Sequence, residues 1–381
     1  MYYINNILGR ESFKKRIFIT AVFLFINSHL FAQWNFRLSS FQEYNDNPFR
    51  SPFAQGEFIS SYNFGISREA GEFNLLYYGS YSSFNKSVER NHYFHQAGVY
   101  SSNENYIYGA YAEQRVNTKE FNYFDQINFT GYINYLLDFE FASITVLTSA
   151  SYRIYDNMSE YDNAFLTFGI SSNKSFETKT TLIMQAQLNY KDYFNDASNV
   201  GEILPTGSMI SSSATNLYST QFMLNLRAAQ SLGDQTGVAV FYTDRTLLNN
   251  DSRLSSDFTY NFGDESDLYD DPVSRNENLI GIELTHILPA EITLKSGFSY
   301  SAKEYPTQGI YLDAELFSSQ NKRFDYSSGF YLGVSKNIPL GINEGSSLRV
   351  GFSYSSLLNE SNSFWYDYSS QSLMMNFDFQ F

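Results

Sequence analysis

The chain contains no cysteine, which excludes both a disulfide framework and a thiolate metal site. After the first 33 residues it has no apolar run of the ~18 residues that a spanning helix requires. Sustained helical periodicity is missing as well. Histidine is scarce, with only His29, His92, His95 and His286. His92 and His95 lie three apart, which on a strand places them on opposite faces and suits no shared metal ion. With His286 they read as interface side chains near strand ends. No serine–histidine pair oriented by a third polar group emerges, so the chain is not read as an enzyme. Basic charge is also in deficit: 25 Lys and Arg stand against 40 Asp and Glu, a formal charge of −15. Such a surface repels phosphate backbones, which argues against nucleic acid as a partner.

Aromatic residues are abundant, with 36 Phe and 32 Tyr among 381 residues. That load is too high for disorder, yet the mean hydropathy is only −0.34. A polar average with this much Tyr and Phe suits a wall in which only alternate residues meet lipid. At the N-terminus, Arg10, Lys14, Lys15 and Arg16 precede the apolar run IFITAVFLFI at 17–26, followed by NSHLFAQ at 27–33. A basic region, a short apolar core and a small residue near the cut predict a secretory signal peptide over 1–32. Cleavage near Ala32–Gln33 removes four basic residues and Glu11, taking the formal charge from −15 to −18.

The remainder, 33–381, reads as one domain of alternating segments. In LRVGFSY at 348–354, Leu348, Val350, Phe352 and Tyr354 share one face, and Arg349, Gly351 and Ser353 share the other. ITLKSGFSY at 292–300 and TTLIMQAQLNY at 180–190 repeat the pattern. Short turns are predicted near 68–72, 103–105, 137–139, 174–178, 230–236, 289–291 and 338–345. Larger connections fall between them, at 45–56, 84–91, 117–121, 155–161, 194–214, 248–276, 305–323 and 358–369. Alternating short and long connections, with strands of about 10–16 residues, favour a bilayer-crossing barrel over a soluble sandwich or propeller, whose strands average about 5–6 residues. The expected fold is all-β: a transmembrane antiparallel up-and-down β-barrel of about 16 strands (14–18), short turns periplasmic and long loops extracellular. RLSSDFTYNF at 253–262 also alternates and leaves the count open by two.

The chain ends in SLMMNFDFQF, with Phe377, Phe379 and Phe381 on one parity. Together with the N-terminal segment and the alternating aromatic strands, this ending resembles the bacterial outer-membrane β-barrel proteins. QEYNDNPFR at 42–50 is similar to a Tyr-x-Asp-Asn turn after the first strand of some porin-like families. The resemblance implies location in the cell outer membrane, contact with its lipid and lipopolysaccharide, and reading of the last strand by the barrel-assembly machinery. An oligomer is compatible with it.

Candidate site residues are diffuse. The lumen parity carries Arg37, Glu113, Arg115, Arg153, Lys191, Arg227, Glu283, Lys295, Arg349 and Asp378, with Asp125 beside them. Charge arranged inside a pore tunes ion selectivity, though rows of both signs can equally satisfy one another. Asp264, Glu265, Asp267, Asp270 and Asp271 in GDESDLYDDP form a candidate Ca²⁺ loop of hard oxygen ligands without EF-hand spacing. No other cofactor is expected. Trp34, Tyr190, Tyr300 and Tyr354 read as membrane-interface girdles. The function these features imply is a porin-like channel for small hydrophilic solutes. The alternative is a non-conducting barrel that anchors a secretion or surface-attachment complex.

Overall fold

A computed structural model describes residues 34–194, 201–203, 209–211, 218–249, 272–342 and 345–381. The signal segment, the alternating stretch 253–262 and the acidic Ca²⁺ candidates Asp264 to Asp271 lie outside the described residues.

Alternation of side chains along each segment produces long strands. They are β1 (Trp34–Asn45), β2 (Glu57–Ala70), β3 (Phe73–Phe84), β4 (His92–Ser102), β5 (Tyr106–Asn117), β6 (Gln126–Asp138) and β7 (Ser143–Tyr155). β8 (Asn163–Ser175) and β9 (Thr180–Tyr193) follow, then the two short strands β10 (Gly201–Ile203) and β11 (Met209–Ser211). The chain continues with β12 (Tyr218–Ser231), β13 (Thr236–Leu247), β14 (Asn276–Leu288) and β15 (Ile292–Tyr305). After the short β16 (Ile310–Tyr311) and β17 (Phe317–Ser318) come β18 (Arg323–Pro339), β19 (Ser347–Ser361) and β20 (Tyr368–Gln380).

Sixteen of these form one closed antiparallel barrel in sequence order, while β10–β11 and β16–β17 are separate two-stranded ladders in the loops. Short turns and both ends of the described chain lie at one rim, the longer connections at the other. The predicted strand count and the order of connections therefore match the barrel. Two starts shift by four residues: β6 begins at Gln126 rather than near 122, because Lys119–Phe124 winds into a 3-10 turn, and β7 at Ser143 rather than near 139, because the turn is closed by the Phe139 N–H donating to Ala142 O.

The closing seam pairs β1 with β20 from Arg37↔Gln380 to Asn45↔Ser372. Beyond that ladder, the Phe36 N–H donates to Phe381 O at 2.8 Å and the Phe381 N–H to Phe36 O at 3.0 Å. The two rings stack at 5.3 Å. At the other rim the first loop is latched across the same seam. Asn47 Nδ2 donates to Ser369 O and to Ser51 O, each at 2.8 Å, and the Gln371 N–H donates to Asp46 Oδ1 at 2.6 Å. The QEYNDNPFR turn thus holds the barrel closed where the last strand begins. Closure leaves no unpaired strand edge, which hydrocarbon would not tolerate.

The outer parity is apolar and open to the surroundings: Ile282 is 48% exposed, Phe298 50% and Phe352 51%. Burying such side chains in lipid stabilises the barrel by ~1.5–3 kcal/mol each. Two aromatic girdles flank this band. Tyr81–Tyr93, Tyr190–Tyr218 and Tyr300–Tyr326 pair towards the long-loop rim, and Phe36–Phe381, Tyr106–Tyr135 and Phe139–Phe141 towards the short-turn rim. Trp34 sits in the lower girdle with the Arg68 guanidinium over its ring.

The lumen and its extracellular cap

The inner wall carries the polar parity, and strand register places the ten pore-lining candidates on it. At the short-turn end Asp378 lies opposite Arg349 on β19 and beside Ser39 on β1. Arg37 holds the same carboxylate through two hydrogen bonds, one of them Nε to Oδ1 at 2.9 Å. Arg349 itself donates to Ser335 Oγ at 3.3 Å. Arg37 and Asp378 thus meet across the closing seam, with Arg349 in register on the other side of β20. Lys295 stands on the same inner face of β15, opposite Gly333 and Thr285.

Near the middle of the wall, Arg227 on β12 reaches over Ala239 of β13 to Glu283 on β14 at 2.5 Å. Tyr331 Oη donates to the same carboxylate at 3.1 Å. Tyr331 can lie flat because its neighbour is Gly297: a Cβ there would sit 2.3 Å from the ring. Gly281 accommodates Phe241 in the same way. On the facing wall Glu113 accepts from Gln96 Nε2 at 3.1 Å and Asn128 Nδ2 at 2.8 Å. Arg115 donates to Asn117 Oδ1 at 3.1 Å. Asp125 serves the loop rather than the lumen, accepting from the Asn117 backbone N–H at 2.7 Å.

Closer to the long-loop rim stand Arg153 and Lys191, joined by charges that the sequence reading omitted. Glu277 Oε2 lies 3.1 Å from Arg245 Nε and 3.0 Å from Arg275 Nη2. Arg323, 1% exposed, is held by Asp325 through two bonds and donates to Gln308 Oε1 at 3.1 Å. Its guanidinium stacks on Tyr366 at 3.3 Å and Tyr305 at 4.0 Å. Parity did carry a signal for Arg245 and Asp325: each shares the inner face of its strand with Thr243 or Ser327.

Above these charges the mouth is bridged by aromatic packing, and this feature was not foreseen. Phe124, Tyr155, Met158, Tyr161, Tyr193 and Tyr366 form one buried cluster. Tyr155 and Tyr193 end β7 and β9, Phe124 closes the loop before β6, and Met158 and Tyr161 come from the loop after β7. Tyr366 comes from the β19–β20 loop, about half the ring away. The two longest connections, 194–214 and 248–276, lie mostly outside the described residues. From the second, Val273 is buried at the mouth.

The histidines fall as expected. His95 is on the outer face, hydrogen-bonded to Tyr77 Oη at 2.9 Å, and His92 faces inward. His286 bonds Thr236 Oγ1 at 2.8 Å on the outer parity near the short-turn rim. Among the described residues no group of three or more His, Asp or Glu is arranged to hold a metal ion.

A closed sixteen-stranded barrel, an apolar belt between two aromatic girdles and a polar inner wall define a transmembrane β-barrel of porin-like architecture. Known structures share this fold. OccK8 (OprE) of Pseudomonas aeruginosa superimposes with a TM-score of 0.51 at 9% identity, covering 92% of this chain and 98% of that one. OpdK of Pseudomonas aeruginosa, solved with vanillate, gives 0.51 at 9% identity, covering 92% and 99%. OccAB3 of Acinetobacter baumannii gives 0.50 at 11% identity, covering 92% and 99%. No protein-family model matches the sequence, and no curated protein does.

Proposed function

We propose that the protein is a passive channel, not an enzyme, which admits small hydrophilic solutes across the outer membrane. The observation that carries this reading is the inner wall, where polar and charged side chains run from the Arg37–Asp378 seam to Arg153 and Lys191 below the mouth. A sixteen-stranded barrel is wide enough to enclose an aqueous path. The fold shared with OccK8, OpdK and OccAB3 supports the same reading. Liposomes containing the refolded protein should swell in isotonic solutions of small sugars and amino acids, with rates falling as solute size rises. Liposomes that hold folded barrel and do not swell for any solute would refute it.

The aromatic cluster at the mouth favours a second reading, a barrel that holds a partner at the cell surface and conducts nothing. Co-purification of one stable partner from the native membrane, together with an absence of solute flux, would select it.

A further inference from the structure

The outer wall carries few charged side chains among the described strand residues, and they divide by sign. Arg68, Lys174 and Lys336 share the outer parity with Ile66, Leu182 and Val350 and stand towards the short-turn rim. Asp192, Asp244, Glu304 and Glu360 share it with Tyr218, Leu224, Phe324 and Tyr326 and stand towards the long-loop rim. On the inner wall, by contrast, both signs meet directly, as in Arg37 with Asp378 and Arg227 with Glu283.

The two lysines are placed to meet a lipid headgroup. Lys336 is exposed and Lys174 half-buried, and neither forms an ion pair with a carboxylate among the described residues. The Lys174 ammonium lies 3.5 Å from Glu140 O. Farther from the apolar belt, in the turns that follow, Phe176 is 44% exposed and Ile342 68%. Apolar side chains on the rim side of each lysine set the ammonium groups within the membrane boundary and not in open water. A lysine stem lies along an apolar wall while its head reaches the interface, where a cation is costly unless it is paired. The phosphates of phospholipids are the anions available at that depth. Arg68 is 3% exposed and packed against Trp34, so its guanidinium is closed to a headgroup.

We propose that Lys174 and Lys336 bind the phosphate groups of anionic phospholipids in the leaflet at the short-turn rim. Each ammonium donates charge-assisted hydrogen bonds to phosphate oxygens, with the acyl chains lying along the neighbouring belt. β8 and β18 are apart in the ring, so each lysine takes its own lipid. The carboxylates near the opposite rim repel the same headgroups, so the wall favours them at one end. The proposal needs only an outer wall that faces lipid and is independent of whether the barrel conducts.

Native mass spectrometry of the full barrel, folded in detergent, tests this with two probes of matched acyl chains. One is phosphatidylglycerol and the other diacylglycerol, which lacks the phosphate. The unaltered protein should retain phosphatidylglycerol in preference. Lys174→Gln and Lys336→Gln should each weaken that retention about fivefold, the equivalent of ~1 kcal/mol per lysine at an anionic surface. Lys322→Gln, at the long-loop rim, should leave it unchanged, which separates these two positions from a general effect of charge. Equal retention of the two lipids by the unaltered protein overturns the proposal whether or not the variants fold. So do folded variants at Lys174 and Lys336 that retain as much as the unaltered protein, or an equal loss in Lys322→Gln. Displacement of the lipid by equimolar inorganic phosphate would assign the lysines to free phosphate and overturn it as well.

Discussion

Replacing Asp325 by alanine should loosen the extracellular mouth at a calculable cost. In the folded protein Arg323 and Asp325 are each 1% exposed, and the carboxylate takes two bonds from the guanidinium. It also accepts from Ser361 Oγ at 2.6 Å, tying β18 to β19. Asp325→Ala removes all three bonds and leaves a buried cation held only by Gln308 and the faces of Tyr305 and Tyr366. Removing one member of a buried pair costs ~3–5 kcal/mol, mostly because the other charge stays behind. At a rim that water can reach on relaxation, the lower end applies, ~3 kcal/mol. The double variant Arg323→Met with Asp325→Leu removes both charges and should cost less than the single one. Urea unfolding in detergent, followed by circular dichroism and by the mobility of unboiled protein on gels, measures both. A single variant as stable as the unaltered protein, or a double variant as unstable as the single, would refute the argument.

Three further outcomes follow from the same structure. Ile282→Arg, at the centre of the outer face of β14, should cost ~2–4 kcal/mol in bilayers, whereas Ser171→Arg on the inner face of β8 should change unfolding little; equal losses would reverse the assigned faces. Gly297→Ala should displace Tyr331 from Glu283 and cost ~1–3 kcal/mol by overpacking, while Gly131→Ala, with no atom within 4 Å of the new Cβ, should be neutral in the same urea titration. Deleting Phe381 removes the last pair of backbone bonds to Phe36, so refolding into vesicles should slow and the folded band on gels should weaken. Unchanged refolding kinetics would show that the seam does not depend on the terminal residue.

The barrel was largely legible because it is written in local periodicity. Alternation in segments such as LRVGFSY assigns both the strand and its two faces, and the order of short and long connections supplies the strand pairing. The candidate charges were placed on the inner wall by the same parity. Their partners were not legible, because Arg37 and Asp378 are 341 positions apart and meet only when the barrel closes. Arg227 and Glu283 meet only across an intervening strand whose Ala239 is small enough to be bridged. The aromatic cap was missed for a related reason. KEFNYF at 119–124, the SEY turn at 159–161 and FWY at 364–366 are irregular loop segments with no period to follow. Their aromatics are alike in kind to those of the girdles, and only the inward fold of the loops distinguishes them.

The most direct test of the channel reading is single-channel recording from the purified barrel in planar bilayers. Stepwise insertions with a conductance that scales with salt concentration are the predicted result. A bilayer that stays sealed while gel mobility and circular dichroism show the barrel folded would contradict it.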